Sequence, residues 1–259
     1  MKGVRLLAAL LLAAFATGCV GWPMFGDDAD AITVTDVDGS SDHRIFRVGG
    51  LTPVLLEPVV WRLVDSKKID LDWSLSDCLT ALPIPEAHRH LTLRALLAGG
   101  NEALPDDDAY ALFWLAVSER LGMSPDELLG EYLVKPYGLQ DTSFEPVPSR
   151  RSRLVRAEKV EDETLTWTQL FSEGLLTSPH DVLRVAYVML PHVAARSRAR
   201  LQASTLLCGN EIFYALWESS DGAAFLGFDV ESKRVILRLT TASEIDLPEL
   251  LVSMDGLAL

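Results

Sequence analysis

The sequence predicts an α+β fold in which an antiparallel β-sheet is flanked by helices and a helical region is inserted between its strands. Two observations predict this fold. Helical spacing of apolar residues dominates the middle of the chain, and strand patterns lie at both ends. With 259 residues, 49% hydrophobic and 23% charged, the chain has an ordinary globular composition and can form a substantial core.

The first nineteen residues predict export. A basic start, Met1–Arg5, is followed by an apolar run of eleven residues, Leu6–Ala16. Such a run is too short to span about 30 Å of hydrocarbon as a helix, so it indicates a signal peptide. It ends Ala16-Thr17-Gly18-Cys19, which resembles a bacterial lipobox and predicts lipidation of Cys19. The alternative is an ordinary signal peptide that contains a cysteine.

This leader defines the expected organisation and location. Residues 1–19 are the lipoprotein signal peptide, and residues 20–259 form a single domain whose first part, 20–42, is a tether and hairpin. No other hydrophobic run is long enough to cross a bilayer. We therefore expect an exported protein, lipid-anchored to a bacterial membrane and facing the periplasm or the cell surface.

The charge and the cysteines limit the partners. The net charge is −14, and it becomes −16 once Lys2 and Arg5 are removed with the leader. Such acidity argues against nucleic acid and against an anionic membrane surface, which leaves the lipid anchor as the expected membrane contact. Cys78 and Cys208 could pair outside the cytoplasm, but the sequence does not show that they meet. We expect two free buried thiols.

The elements follow in order along the chain. Ile32–Thr35 is a short strand, and Val54–Asp65 is apolar on nearly all sides, which predicts a buried helix. Ser124-Pro125 predicts an N-cap with proline at the first helical position, and Thr177-Ser178 caps a further helix. The predicted helices are Val54–Asp65, Leu91–Ala98, Tyr110–Leu121, Pro125–Val134, Pro179–Leu190 and Leu247–Met254. The remaining strands are Ile212–Trp217, Ala223–Val230 and Val235–Thr241.

Five passages within about residues 45–241 match a known pattern in the same order. They are Phe46–Gly49 (FRVG), Lys67–Asp72 (KKIDLD, like GKLDLDD), His90–Leu97 (HLTLRALL, like ITLRHLL), Leu133–Phe144 (LVKPYGLQDTSF, like ILEPLGMKDTSF) and Gly174–Val182 (GLLTSPHDV, like GGLXSTAXDLA). Together they resemble the serine β-lactamase and penicillin-binding-protein family, in its class C and serine-esterase branch, where the first passage is the strand before the nucleophile. The resemblance implies the β-lactamase/transpeptidase fold, trimmed before Phe46 and around the loops of the active site.

The first catalytic motif of that family is absent. The family has Ser-x-x-Lys at the start of the buried helix, where the lysine takes the proton of the serine nucleophile. Here Gly50 stands at the serine position and Pro53 at the lysine position, and no Ser-x-x-Lys occurs anywhere in the chain. Pro58 would clash with the carbonyl of Val54 at a cost of about 3 kcal/mol if the helix began at Pro53, so a later start or a kink is the alternative.

Two further motifs are absent. The family's Tyr-x-Asn is replaced by Pro105-Asp106-Asp107, and no Tyr-x-Asn or Ser-x-Asn exists in the chain. The Lys-Thr-Gly or His-x-Gly of the sheet edge is also missing. Tyr214–Trp217 resembles the strand before it, and the chain then passes from Asp221-Gly222 directly to the next strand. Gly50, Pro53, Asp106 and Asp107 are therefore degenerate catalytic positions.

Other chemistry is weighed against simpler roles. Ser178, His180 and Asp181 are chain neighbours that fit helix capping better than a triad, because a triad is assembled in space. His88 and His90 lack further metal ligands at a known spacing, so no metal site is expected. Asp106–Asp108 fits a solvated acidic helix start. Arg150–Arg153 and Arg196–Arg200 are basic islands that could contact anionic envelope polymers but fit solvated faces. The tryptophans fit core packing.

The sequence thus favours a catalytically inactive, β-lactamase-like envelope lipoprotein that acts as a binding or structural module. A peptidoglycan peptide or an envelope protein is the partner that the resemblance implies, and no cofactor is expected. The alternative is a serine-hydrolase-family enzyme, of β-lactamase, esterase or D,D-peptidase type, that uses a non-standard site.

Overall fold

The computed structural model describes residues 32–34, 44–80, 84–98, 106–155, 166–196, 206–208, 212–219, 222–229, 234–240 and 244. The chain divides into two units, 1–32 and 33–259, and the described residues lie in the second apart from Ile32. The predicted leader with Cys19, most of the tether, and the helix Leu247–Met254 lie outside the described residues.

The strands of the main sheet are β1 Ile32–Val34, β4 Leu206–Cys208, β5 Ile212–Ser219, β6 Gly222–Asp229 and β7 Arg234–Thr240. They lie in the order β1-β7-β6-β5-β4. The pairs β5/β6 and β6/β7 are antiparallel, as the sequence predicted, and β4, which the sequence did not predict, pairs antiparallel with β5. β5 and β6 pair from Ile212↔Asp229 to Ser219↔Gly222, so β5 continues two residues beyond its predicted end at Trp217.

A second, two-stranded sheet pairs β2 (Phe46–Arg47) with β3 (Leu176–Thr177) in antiparallel register. The described α-helices are α1 Thr52–Asp65, α2 Leu75–Cys78, α3 Leu93–Leu97, α4 Asp106–Leu121, α5 Pro125–Leu129, α6 Lys135–Tyr137, α7 Trp167–Glu173 and α8 Pro179–Arg196. Short 3-10 turns cover Gly49–Leu51, Glu86–His88 and Pro148–Arg153. Within this part of the chain no helix is long and apolar enough to cross a membrane.

Helix α1 is the buried helix that the sequence predicted. It begins at Thr52, and Pro58 lies inside a continuous α-helix, so the alternative of a later start is wrong. Val54, Leu55, Val59 and Leu63 are each at most 1% exposed. Since each fully buried aliphatic side chain contributes roughly 1.5–3 kcal/mol, packing of this helix outweighs the proline's cost of about 3 kcal/mol.

The predicted cap at Ser124 is confirmed. Its amide donates to Glu127 (2.8 Å) and its hydroxyl accepts from the Glu127 amide (3.3 Å), which is a capping box that lowers the pKa of Glu127. After α5 a π-helical turn, Gly130–Val134, leads into α6, which ends at Tyr137 and is followed by the C-cap residue Gly138 with φ +61°. This helical segment therefore continues three residues past its predicted end at Val134.

The core lies around α1, between helices and sheet. Trp114 of α4 stacks on Phe171 of α7, with ring centroids 5.3 Å apart and planes within 8°. Trp61 and Trp114 are 6% and 1% exposed, so the predicted packing role of these two tryptophans is confirmed. These aromatic side chains pack in the same core as α1 and so help to position the turn at its N-terminal end.

Candidate functional site

The turn Gly49–Leu51 joins strand β2 to helix α1. It contains Gly50, which the sequence comparison with the family places at the position of the serine nucleophile. The Val48 amide donates to the Leu175 carbonyl (3.0 Å), and the Leu51 amide donates to the Val48 carbonyl (3.0 Å). At the start of α1 the Thr52 hydroxyl accepts from the Leu175 amide (3.3 Å). Hydrogen bonds on both sides of Gly50 therefore position it at the N-terminal end of the buried helix.

The side chain of Trp217, on β5, covers this turn. A Cβ built on Gly50 would lie 2.8 Å from Trp217 Cδ1, 3.2 Å from Cγ and 3.3 Å from Cβ. A Cβ on Gly49 would lie 2.1 Å from Trp217 Cε2 and 2.2 Å from Cδ2. Separations under 3.0 Å are closer than van der Waals contact between carbon atoms allows. The indole thus occupies the space into which a side chain at position 49 or 50 would project.

Gly49 is required for a second reason. Its φ is +50°, in the left-handed region that glycine adopts without strain and other residues adopt at a cost. Position 49 therefore needs glycine both for its backbone conformation and for the space that Trp217 occupies, whereas position 50 needs it for the space alone. Trp217 is paired with Ala224 across the sheet, which fixes the strand from which the indole extends.

Pro53, at the expected lysine position, is the second residue of α1 and carries no amine. Its carbonyl accepts a hydrogen bond from the hydroxyl of Tyr110 (3.1 Å), on α4. Burial raises the pKa of Tyr110, so the phenol is neutral at physiological pH. What links these helices at this position is a neutral hydrogen bond.

Asp106 and Asp107 begin helix α4. The sequence placed the start of this helix at Tyr110, so that boundary is wrong by four residues, while the expected acidic helix start is confirmed. Acidic residues at a helix N-terminus are favoured by the helix dipole, which explains the earlier start. The next acid, Asp108, is exposed and accepts from the Thr168 hydroxyl (3.4 Å). The side chains of Asp106 and Asp107 are outside the described part.

Asp181 is a buried structural hub. Its Oδ2 accepts from the amides of Gln140 (3.0 Å) and Asp141 (2.7 Å) and from the Thr142 hydroxyl (2.9 Å). The Asp181 amide donates to the Ser178 hydroxyl (3.3 Å), which confirms Ser178 as a helix cap. Asp181 is fully buried, and Oδ1 lies 3.6 Å from His180 Nδ1. The carboxylate therefore ties the turn 140–142 to the start of α8.

The remaining candidate groups are brought to separate places. His90 is exposed in the turn that follows the 3-10 turn Glu86–His88. Among the described residues no group of three or more His, Cys, Asp or Glu side chains is placed to hold a metal ion.

Cys78 is 2% exposed and is a free thiol, as expected, and burial raises its pKa. The side chain of Cys208 lies outside the described part.

Sequence reasoning missed Trp217 as a residue of this site, having assigned it to core packing on the strand before the missing motif. The available signal was the doublet Gly49-Gly50. Two adjacent glycines at a helix start leave space for a large side chain from another element, but a sequence does not state which element supplies it.

Comparison with known proteins finds similarity in structure but no match in sequence. No protein-family model and no curated protein sequence matches the chain. A class C β-lactamase from Rhodobacter sphaeroides is similar in structure, with TM-score 0.65, 12% identity, and 84% of this chain and 86% of that chain covered.

Two other solved structures agree. A D-alanine carboxypeptidase from Burkholderia cenocepacia has TM-score 0.62 at 12% identity, covering 82% of this chain and 83% of its own. A β-lactamase/D-alanine carboxypeptidase from Yersinia pestis, complexed with citrate, has TM-score 0.61 at 14% identity. The match covers 85% of this chain and 83% of that chain. These likenesses show that the chain has the β-lactamase/transpeptidase fold, which confirms the fold that the resemblance implied.

Proposed function

We propose that the chain is a catalytically inactive β-lactamase-like protein of the cell envelope, and that it serves as a binding or structural module. The observation that carries this proposal is the contact between Trp217 and the turn Gly49-Gly50. The indole lies where a nucleophile on residue 50 would project, so the position lacks both the reactive group and the space for it.

The chemistry of acyl transfer explains why this contact matters. A nucleophile has to come within about 3–3.5 Å of the carbonyl that it attacks, with its base in hydrogen-bond reach. Gly50 has no side chain, and Pro53 has no amine that could accept a proton. Removal of a nucleophile alone lowers kcat on the order of a million-fold, and here the base is missing as well.

The proposed setting follows from the leader. The chain is exported and anchored by a lipid on Cys19, and it faces the periplasm or the cell surface. Its partner is a peptidoglycan peptide or an envelope protein, reached without cofactor or nucleic acid. The buried residues of α1 and the hydrogen bonds of Asp181 give the chain the stable fold that a binding or structural role requires.

The test exposes the purified full chain to a fluorescent penicillin and to an activated ester, beside an active class C β-lactamase as positive control. We expect no covalent labelling, and ester hydrolysis no faster than with the heat-denatured chain. Stoichiometric labelling, or hydrolysis that requires the folded chain, would overturn the proposal. Ser178→Ala and Asp106→Ala variants would then establish whether a non-standard site near either residue is responsible.

A further inference from the structure

The main sheet has a second buried face, opposite to the face that carries Trp217. Successive residues of a strand point to opposite sides of a sheet, and paired residues of neighbouring strands share a side. The second face, here called the outer face, includes Tyr214 of β5, Phe225 of β6 and Ile236 of β7. Their side chains are 5%, 0% and 1% exposed, so residues of the chain itself cover this face.

The described helices pack on the other side. In the part of the chain that the structure describes, the main elements that contact β5, β6 or β7 from outside the sheet are the turn Gly49–Leu51 and helix α8. The turn lies under Trp217, and Val185 of α8 belongs to one apolar cluster with Leu237. The outer-face residues are not members of that cluster. Their cover therefore comes from residues outside the described ranges.

The C-terminal residues have the pattern for this role. β7 ends at Thr240, and residues 241–259 follow it directly. Apolar residues recur there at the spacing i, i+3, i+4 and i+7, which places them on one side of a helix: Leu247, Leu250, Leu251 and Met254. Pro248 stands where the first helical turn begins, as prolines at helix starts do.

The dimensions also agree. A helix of eight residues is about 12 Å long, and three strands at their usual spacing span about 10 Å. The connection 241–246 can extend about 20 Å, which is enough to turn back over the sheet from the end of β7.

Other stretches outside the described ranges are less suitable. Residues 20–31 carry apolar side chains but are divided by Pro23 and Gly26, which interrupt a helical stripe. Three further stretches are mostly polar or charged: 35–43, 156–165 and 197–205. An apolar face needs an apolar layer against it, and the C-terminal stripe supplies one.

We infer that Leu247–Met254 is a helix that docks on the outer face, with its apolar side against Tyr214, Phe225 and Ile236. Burial of apolar area on both surfaces stabilises this contact. The docked helix closes the outer face, so the partner in the proposed binding role has to contact another surface. Docking itself does not depend on that role, because it needs only the fold.

Methyl NMR of the full chain tests the contact. We expect nuclear Overhauser effects between the Ile236 δ1 methyl group and methyl groups of Leu250, Leu251 or Met254, and none to Val252 on the other side of the helix. In a mixture of isotope-labelled and unlabelled chains, these effects should stay within one chain. The inference is overturned if they are absent, if residues 20–31 supply them instead, or if they arise between two chains.

A matched pair of variants measures the consequence. Leu251→Asp and Val252→Asp each replace one aliphatic side chain by one carboxylate, at neighbouring positions. Leu251→Asp should lower the urea midpoint of unfolding by at least about 0.5 M, because it places a charge in an apolar interface. Val252→Asp should leave the midpoint unchanged, and equal shifts in both variants would contradict the docking. Penicillin labelling tests the proposed function separately, so each can fail without the other.

Discussion

The indole of Trp217 lies against Gly50 so closely that a single added carbon on residue 50 would sit 2.8 Å from Cδ1. The contact joins strand β5 to the N-terminal end of the buried helix. It couples positions 50 and 217, since a side chain at position 50 and an indole at position 217 exclude each other.

This coupling predicts a large interaction energy in a double-mutant cycle. Gly50→Ala alone should lower the free energy of unfolding by about 1–3 kcal/mol, because the added methyl overpacks the site. Trp217→Ala alone should cost about 2–4 kcal/mol, since a large, partly buried side chain is removed. In the Trp217→Ala background Gly50→Ala should cost nothing, and denaturant unfolding of the four proteins measures the difference.

The matched control for that cycle is Gly130→Ala. A Cβ on Gly130 meets no atom within 4 Å, and its backbone is helical, with φ −59°. This variant should be neutral or up to about 1 kcal/mol more stable, because alanine favours helix. Equal effects of Gly50→Ala with and without Trp217 would contradict the contact.

A second prediction concerns the carboxylate of Asp181. Asp181→Ala should cost about 3 kcal/mol of stability, because three hydrogen-bond donors at residues 140–142 lose a shared buried acceptor. His180→Ala, at the neighbouring position with a side chain 46% exposed, should cost no more than about 0.5 kcal/mol. Thermal and denaturant unfolding measure the stability of both variants. A similar loss of stability in both would show that the Asp181 carboxylate does not stabilise the turn 140–142.

A third prediction follows from the phenol of Tyr110. Tyr110→Phe should cost about 1 kcal/mol at neutral pH through loss of the bond to Pro53. Because burial raises the folded pKa of Tyr110 above the ordinary value of 10.0, its stabilisation is present below pH 10.0 and is lost as the pH rises through the folded pKa.

The pH dependence separates wild type from variant. Between pH 9 and about pH 11 the unfolded wild type releases the Tyr110 proton and the folded protein retains it, so the wild-type advantage should shrink by up to about 1.4 kcal/mol per pH unit above the unfolded pKa. Urea unfolding of wild type and Tyr110→Phe at several pH values measures this difference in stability. A constant difference across this range would show that the hydroxyl is not buried.

A fourth prediction concerns the thiol of Cys78. In a Cys19→Ser/Cys208→Ser background, a thiol reagent should modify Cys78 at the rate at which the protein unfolds, because the side chain is 2% exposed and burial raises its pKa. Added denaturant should accelerate the reaction in parallel with unfolding. Rapid modification of the folded chain would place Cys78 at the surface.

The residues that could be interpreted locally were predicted well. The caps at Ser124 and Ser178 and the three long strands depend on neighbours in the chain. The structure has both caps where the sequence placed them and the strands within two residues of their predicted bounds. Two helix starts were predicted too late, since α1 begins at Thr52 rather than Val54 and α4 begins at Asp106 rather than Tyr110. The helix also continues through Pro58, because burial of α1 offsets the cost of the proline, and burial depends on which surfaces meet.

By itself the sequence determined that glycine stands at position 50 and proline at position 53, and that no Ser-x-x-Lys pattern occurs in the chain. It also determined the α+β pattern, since apolar periodicity is a property of the chain. Only the tertiary structure decided what fills the space at Gly50, and that the main sheet is buried on both faces. Position 217 lies 167 residues beyond position 50, and no local rule brings them together: the contact exists because the sheet and the buried helix share one core.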